Sequence, residues 1–245
     1  MKVERAAIDA RPGYFGKLPI LGDFVSRRLS NGFIGAWDGW LQRCVLTSKE
    51  RLGETWLTSF LGAPMWRFLL APGVVSNEAW VGILIPSVDR VGRYFPLTIA
   101  APLLGEVDPV RTFWANGPTY AQFEELGWSA LDVNQEFDEF EARVAATATP
   151  VGAPASDLED VTTPLPQESP RYCKVEVVGA WGDHGGLVQL QSQVVGICQP
   201  FCLWASEGEA PAGRVVLCTE KLPSGAAFCA MLDLQWGQHG WQSLA

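Results

Sequence analysis

From Asn31 onward, apolar side chains recur at helical spacing. Phe33, Ile34, Trp37, Trp40, Leu41, Cys44 and Val45 fall on one face, and Ser30 or Asn31 is available to cap the N-terminus. This predicts an amphipathic helix with a broad aromatic face. Glu54–Leu61 can form another helix, ended by Pro64. Three continuous apolar runs then follow, Met65–Ala71, Ala79–Pro86 and Phe95–Leu103, bounded by Gly and Pro, as expected of strands buried on both faces. Helical spacing returns over Pro109–Leu126 and Leu131–Ala146, where Phe137, Phe140 and Val144 share a face and Asp138, Glu139 and Glu141 do not. Further strands are expected at Tyr172–Val178, Leu187–Ile197, Phe201–Ala205 and Val215–Cys218, and a helix at Ser224–Leu234.

Strands on both sides of a helical middle, without an internal repeat, predict an α/β fold: a layered sandwich with a mixed central sheet flanked by helices. The chain of 245 residues is read as a single domain, 1–245. It has an N-terminal half at 11–146, a flexible loop at 147–170 and a C-terminal half at 171–245. The loop carries five prolines and four acids among small polar residues, too little apolar surface to offset the entropy of ordering it. Residues 11–25 are dense in Gly and Pro and read as a short strand and turns.

Composition adds a core and a charge asymmetry. Hydrophobic residues make up 48% of the chain and charged residues 18%, enough apolar material to bury a sizeable core. The net charge of −9 divides into +4 over residues 1–103, −11 over 104–170 and −2 over 171–245. Without a Lys/Arg cluster there is no footprint for phosphate backbones, so nucleic acid is not an expected partner. No apolar run reaches the roughly 18 residues of a membrane helix, and Met1–Ala10 does not resemble a secretory leader, so a cytoplasmic protein with no membrane insertion is expected. The six cysteines form no C-x-x-C pair and predict buried thiols rather than a metal or disulfide framework.

Enzyme signatures are sparse. The nucleotide-binding glycine motifs, G-x-S-x-G and H-E-x-x-H are all missing. Asp183-His184 could orient a base, but no serine stands in a strained turn to receive it. No catalytic residue, metal or cofactor is assigned.

Two polar constellations remain. Ser87, Asp89, Arg90 and Arg93 crowd one turn between two apolar strands, where charges must be paired or exposed. Either Asp89 caps the turn and Arg93 bridges to a neighbouring loop, or the guanidinium groups face a partner's carboxylate or phosphate. Lys17, Asp23, Arg27 and Arg28 form the second set and could pair with Asp38 or Asp89. The stripe Trp37, Trp40, Trp56 and Trp66 has the spacing of core, although eleven tryptophans leave some for an interface.

Five motifs in order resemble the N-terminal signature of the TagF (ImpM) family. They are Gly13-Tyr-Phe-Gly-Lys-Leu-Pro19, Gly22-Asp-Phe24, Trp37-Asp-x-Trp-Leu41, Ala63-Pro-x-Trp-Arg-Phe68 and Pro86-Ser-Val-Asp-Arg-Val-Gly-Arg-Tyr-Phe-Pro-Leu97. Cys202-Leu-Trp204 and Leu222-Pro223…Phe228 are similar to its C-terminal motifs, with Cys202 where Ser is expected. The resemblance implies an α/β sandwich and a non-enzymatic accessory role, the post-translational repression of type VI secretion, with an FHA-domain scaffold protein of the apparatus as partner. It also implies no phosphatase activity, because the aspartates of the PP2C-like domain attached to some relatives are missing. Carried onto this chain, it points to Lys17, Asp23, Trp37, Asp38, Ser87, Asp89, Arg90 and Arg93 as partner-binding or loop-holding residues. The alternative is a small-molecule or phosphoester-processing enzyme that uses the Ser87-Asp89-Arg93 turn. In a third reading the acidic helices of 109–146 form the docking face.

Overall fold

The computed structural model describes residues 9–104, 108–153, 172–177, 185–188, 190, 202–206 and 214–243. Among these residues nine strands form one sheet: β1 (Gly13–Gly16), β2 (Val25–Arg27), β3 (Trp66–Leu70), β4 (Ala79–Ile85), β5 (Leu97–Leu103), β6 (Tyr172–Val177), β7 (Cys202–Ser206), β8 (Arg214–Thr219) and β9 (Gln242–Ser243). Their order is β2-β1-β5-β4-β3-β7-β8-β6-β9. Among the described residues only the β6–β9 pairing is parallel, so the sheet is mixed and mainly antiparallel. Because β3 pairs with β7, strands from before and after residues 147–170 share this sheet.

The central strands are buried on both faces, which is why they read as unbroken apolar runs. Their alternate side chains separate into two cores. Along β4, Trp80 and Leu84 enter one core, and Val81, Ile83 and Ile85 enter the other. Helices α1 (Asn31–Leu52) and α2 (Trp56–Gly62), together with α6 (Gly225–Asp233), cover the first face. Helices α3 (Pro109–Ala115), α4 (Gly117–Ser129) and α5 (Phe137–Ala146) cover the second. The fold is therefore an α/β sandwich with helices on both faces of a mixed sheet.

Local chemistry fixes the helix ends. The Ser30 hydroxyl accepts from Phe33 N at 3.2 Å and caps α1, and Ser224 does the same for α6 through Ala227 N. The expected helix over Pro109–Leu126 is two helices. Pro118 in the first turn of α4 brings no N–H to continue the ladder of α3, and Asn116 fills the junction, its side-chain amide donating to Thr112 O at 2.8 Å. The next helix starts at Phe137 rather than Leu131, after a turn in which the Asp132 carboxylate accepts from Asn134 N. Residues 185–188 are helical, so the strand expected at Leu187–Ile197 does not start at Leu187, and the rest of that stretch, apart from Leu190, lies outside the described residues.

Part of the loop expected at 147–170 is anchored. Asn116 donates to Val151 O, and Ala153 N donates to Thr112 Oγ1 at 2.9 Å, so residues 151–153 run along α3. Residues 154–170 lie outside the described residues.

Candidate functional site

The Gly-rich segment after β1 and the turn between β4 and β5 are brought together because β1 pairs antiparallel with β5. Gly16 permits this approach: its φ of +139° suits glycine, and a Cβ there would stand 2.2 Å from Pro96 O. Ser87 Oγ donates to Lys17 O at 2.7 Å, Arg90 N to Leu21 O at 2.9 Å, and Arg93 Nη2 to Gly22 O at 2.5 Å. Three bonds thus join segments about seventy residues apart in sequence into one rigid platform.

Asp89 is the hub of this platform. Its carboxylate accepts from Lys17 Nζ at 2.5 Å and Arg93 Nε at 2.6 Å, and from the backbone N–H groups of Val91 at 3.1 Å and Arg93 at 2.9 Å. The Asp89 and Lys17 side chains are almost wholly buried, whereas Arg93 is more than half exposed. Burial alone would raise the Asp89 pKa, but Lys17 and the Arg93 backbone and guanidinium donors outweigh it and hold the carboxyl well below the usual carboxylate range. Glu141 is lowered too: Arg28 outweighs the effect of its burial. These groups bind protons less tightly folded than unfolded. Their stabilisation is therefore complete above the ordinary carboxylate pKa of about 4 and is lost as pH falls through the depressed folded values. Thermal unfolding measured from pH 7 to 2.5 should show a near-constant Tm down to about pH 4 and a steep fall below it. A fall beginning near pH 6 would contradict this assignment.

The sequence matches the family described as TagF N-terminal domain, Type VI secretion system-associated, over residues 13–147. The chain belongs to the TagF family. A solved structure, that of PA0076 from Pseudomonas aeruginosa PAO1, superposes with a TM-score of 0.71 at 31% identity, covering 91% of this chain and 94% of that one. No curated protein matches the sequence. The family match contains every platform residue, together with α1, α3 and the acidic helices α4 and α5.

The residues singled out from the TagF-like motifs occupy different settings. Lys17, Ser87, Asp89 and Arg93 come together in the platform, where Lys17, Ser87 and Asp89 are buried. Arg90 stands on the platform's surface, exposed, with its guanidinium beside Gly22. Asp23 is exposed and caps the backbone of Phe24 with a 2.9 Å bond. Trp37 is completely buried in the core under α1, and Asp38 accepts from Gln42 on that helix at 2.8 Å. Of the pairings expected of Lys17, Asp23, Arg27 and Arg28 with Asp38 or Asp89, that of Lys17 with Asp89 forms. Arg28 instead binds Glu141 on α5 and donates to Pro12 O at 2.7 Å, while the Arg27 guanidinium donates to Ser26 O.

Two exposed apolar side chains on the platform were not singled out from sequence: Phe24, 46% exposed, and Val91, 65% exposed. Phe24 is held edge-on to Phe95, with ring centroids 4.9 Å apart, and the Lys17 ammonium lies 4.9 Å from its ring centre. Gly22-Asp-Phe24 and Asp89-Arg-Val91 were visible as motifs, but exposure depends on the folded turn. The platform therefore presents Phe24 and Val91 together with Arg90 and Arg93, an apolar pair among guanidinium groups, on a scaffold locked by Asp89.

This geometry leaves the Ser87-Asp89-Arg93 turn poorly suited to chemistry. Both Asp89 oxygens are occupied by donors, and the Ser87 hydroxyl is spent on Lys17 O. His184 lies outside the described residues. Among the helices α3 to α5, Glu124 pairs with Arg67, Glu125 with Arg143 and Glu141 with Arg28, so part of the acidity of α4 and α5 is used to fasten the fold. Among the described residues, no helix is long and apolar enough to cross a membrane.

Proposed function

We propose that this chain is a non-enzymatic accessory protein that represses type VI secretion post-translationally, in the cytoplasm, by binding a component of the apparatus, an FHA-domain scaffold protein. Its membership of a type VI secretion-associated family supports the system in which it works. The observation that carries the binding reading is the platform itself. Its buried charges are internally neutralised, whereas the Arg90 and Val91 side chains project from it into solvent and Phe24, although packed against Phe95, leaves nearly half of its surface exposed beside them. Arg and aromatic side chains on a preorganised surface are the residues that contribute most to protein interfaces.

The test separates surface from scaffold. Arg90 anchors the loop through its backbone N–H, which Arg90→Glu retains, so the variant should keep its Tm. It should lose at least about tenfold in affinity for the FHA-domain protein, as expected of one central interface charge reversed. Affinity measured by titration calorimetry or by quantitative pull-down reads this directly. Unchanged affinity in a folded Arg90→Glu, Phe24→Ala variant would remove the platform as the docking site.

A further inference from the structure

A second concavity shares no residue with the platform. It lies between the C-terminal half of α1 and the connection from β8 to α6, and encloses about 450 Å³. Its walls are fixed rather than loose. Trp40 Nε1 donates to Pro223 O at 2.7 Å, the Cys44 thiol lies 3.9 Å from the same oxygen, and Gly225 sits so close to α1 that a Cβ would meet Thr47 at 2.6 Å. Two motifs left unused by the platform meet here: Trp40 from Trp37-Asp-x-Trp-Leu41 and Leu222-Pro223 from the C-terminal half.

The electrostatics of the groove run against those of the whole protein. The chain carries 27 acidic and 18 basic side chains, yet among the described residues this groove is lined by Arg43 and Lys221 and by no carboxylate. Both cations are exposed. An adjoining hollow of about 260 Å³ shares Lys221, Leu222 and Ser224 with it and is otherwise lined by Tyr172 and Glu220, so the concavity continues past the connection toward one carboxylate. A divided, elongated groove suits an extended chain better than a compact molecule, and Arg43 and Lys221 in its larger part call for carboxylates on the stretch of chain that lies there, away from Glu220.

We propose that this groove binds an acidic segment of a partner protein. Its carboxylates meet Arg43 and Lys221, and an apolar side chain rests against Trp40, Val74 and Pro223. This surface operates independently of the platform.

The probe is a fluorescein-labelled peptide of Asp, Glu and Leu, compared with its counterpart carrying Lys in place of each acid, by fluorescence anisotropy on the full chain. The acidic peptide should bind saturably and the basic one should not. Arg43→Glu combined with Lys221→Glu should weaken the acidic peptide by roughly tenfold, from the loss and reversal of two exposed charge pairs. The same double variant should keep its Tm and its platform-mediated capture of the FHA-domain protein. Equal binding of both peptides, or acidic-peptide binding untouched by the double variant, overturns the proposal. So does displacement of the peptide by free succinate at concentrations where unlabelled peptide acts, because the groove would then be a small-anion site.

Discussion

Replacing Asp89 with Ala should lower Tm by on the order of 10 °C, as expected when one member of a buried ion pair is removed, and should also abolish partner capture. The substitution strands Lys17, which is 4% exposed, in an apolar setting with no counter-charge. It also frees the backbone N–H groups of Val91 and Arg93 and the Arg93 guanidinium from their acceptor. Lys17→Met should cost less, because Asp89 would keep Arg93 and both backbone donors. The order matters more than the absolute values: Asp89→Ala worse than Lys17→Met, and Arg93→Ala mildest, since Arg93 is largely solvated. Limited proteolysis should show new cleavage within residues 17–24 and 86–96 in Asp89→Ala before the core opens. Unchanged melting and unchanged cleavage would show that the buried charges do not hold the two loops together.

This order could not have been read from the sequence, although the participants could. Ser87, Asp89, Arg90 and Arg93 stand out as a charged turn between apolar runs, but residue types alone leave open which is hub and which is surface. The decision comes from pairing over a distance. Lys17 reaches Asp89 because β1 lies beside β5, a neighbour relation that no local pattern encodes. The Arg28–Glu141 contact is more distant still, joining the end of β2 to a helix 113 residues later. No sequence signal links them beyond opposite charge.

The elements themselves were more legible where burial is uniform. Strands β3, β4 and β5 lie within one or two residues of the apolar runs, because both faces of each are covered and no polar alternation interrupts them. Side-chain periodicity misleads where one backbone group overrides it. Apolar spacing continues through Pro109–Leu126, yet the helix breaks at Asn116, because Pro118 has no N–H to extend the ladder. The aromatic face of α1 was legible as burial, and that bears on the role of Trp37.

Trp37→Ala should destabilise the protein by about 3–5 kcal/mol, the range for deleting a buried large aromatic side chain. Trp37 is fully buried. Its ring packs against Trp40 at 4.7 Å, Phe68 at 4.9 Å, Phe33 at 5.3 Å and Trp204 at 6.1 Å, and so ties α1 to β3 and β7. Its indole N–H donates to Thr98 Oγ1 on β5 at 2.8 Å. The small residue leaves a cavity between helix and sheet that the four neighbouring aromatic rings cannot close without leaving their own contacts. Trp37→Phe keeps most of the ring volume and loses the hydrogen bond to Thr98, so about 1–3 kcal/mol is expected. A partner contact predicts a different pattern, with affinity falling even in the variant that still folds well. Chemical denaturation gives the two stabilities, and titration of the FHA-domain protein against folded Trp37→Phe gives the affinity. Large loss of stability in Ala, small loss in Phe and unchanged affinity per folded molecule would place Trp37 in the scaffold. Lost affinity in a stable Trp37→Phe would make it part of the interface after all. Because Trp37 is fully enclosed, that second result would require α1 to lift from the sheet when the partner binds, a movement that would expose the whole aromatic core.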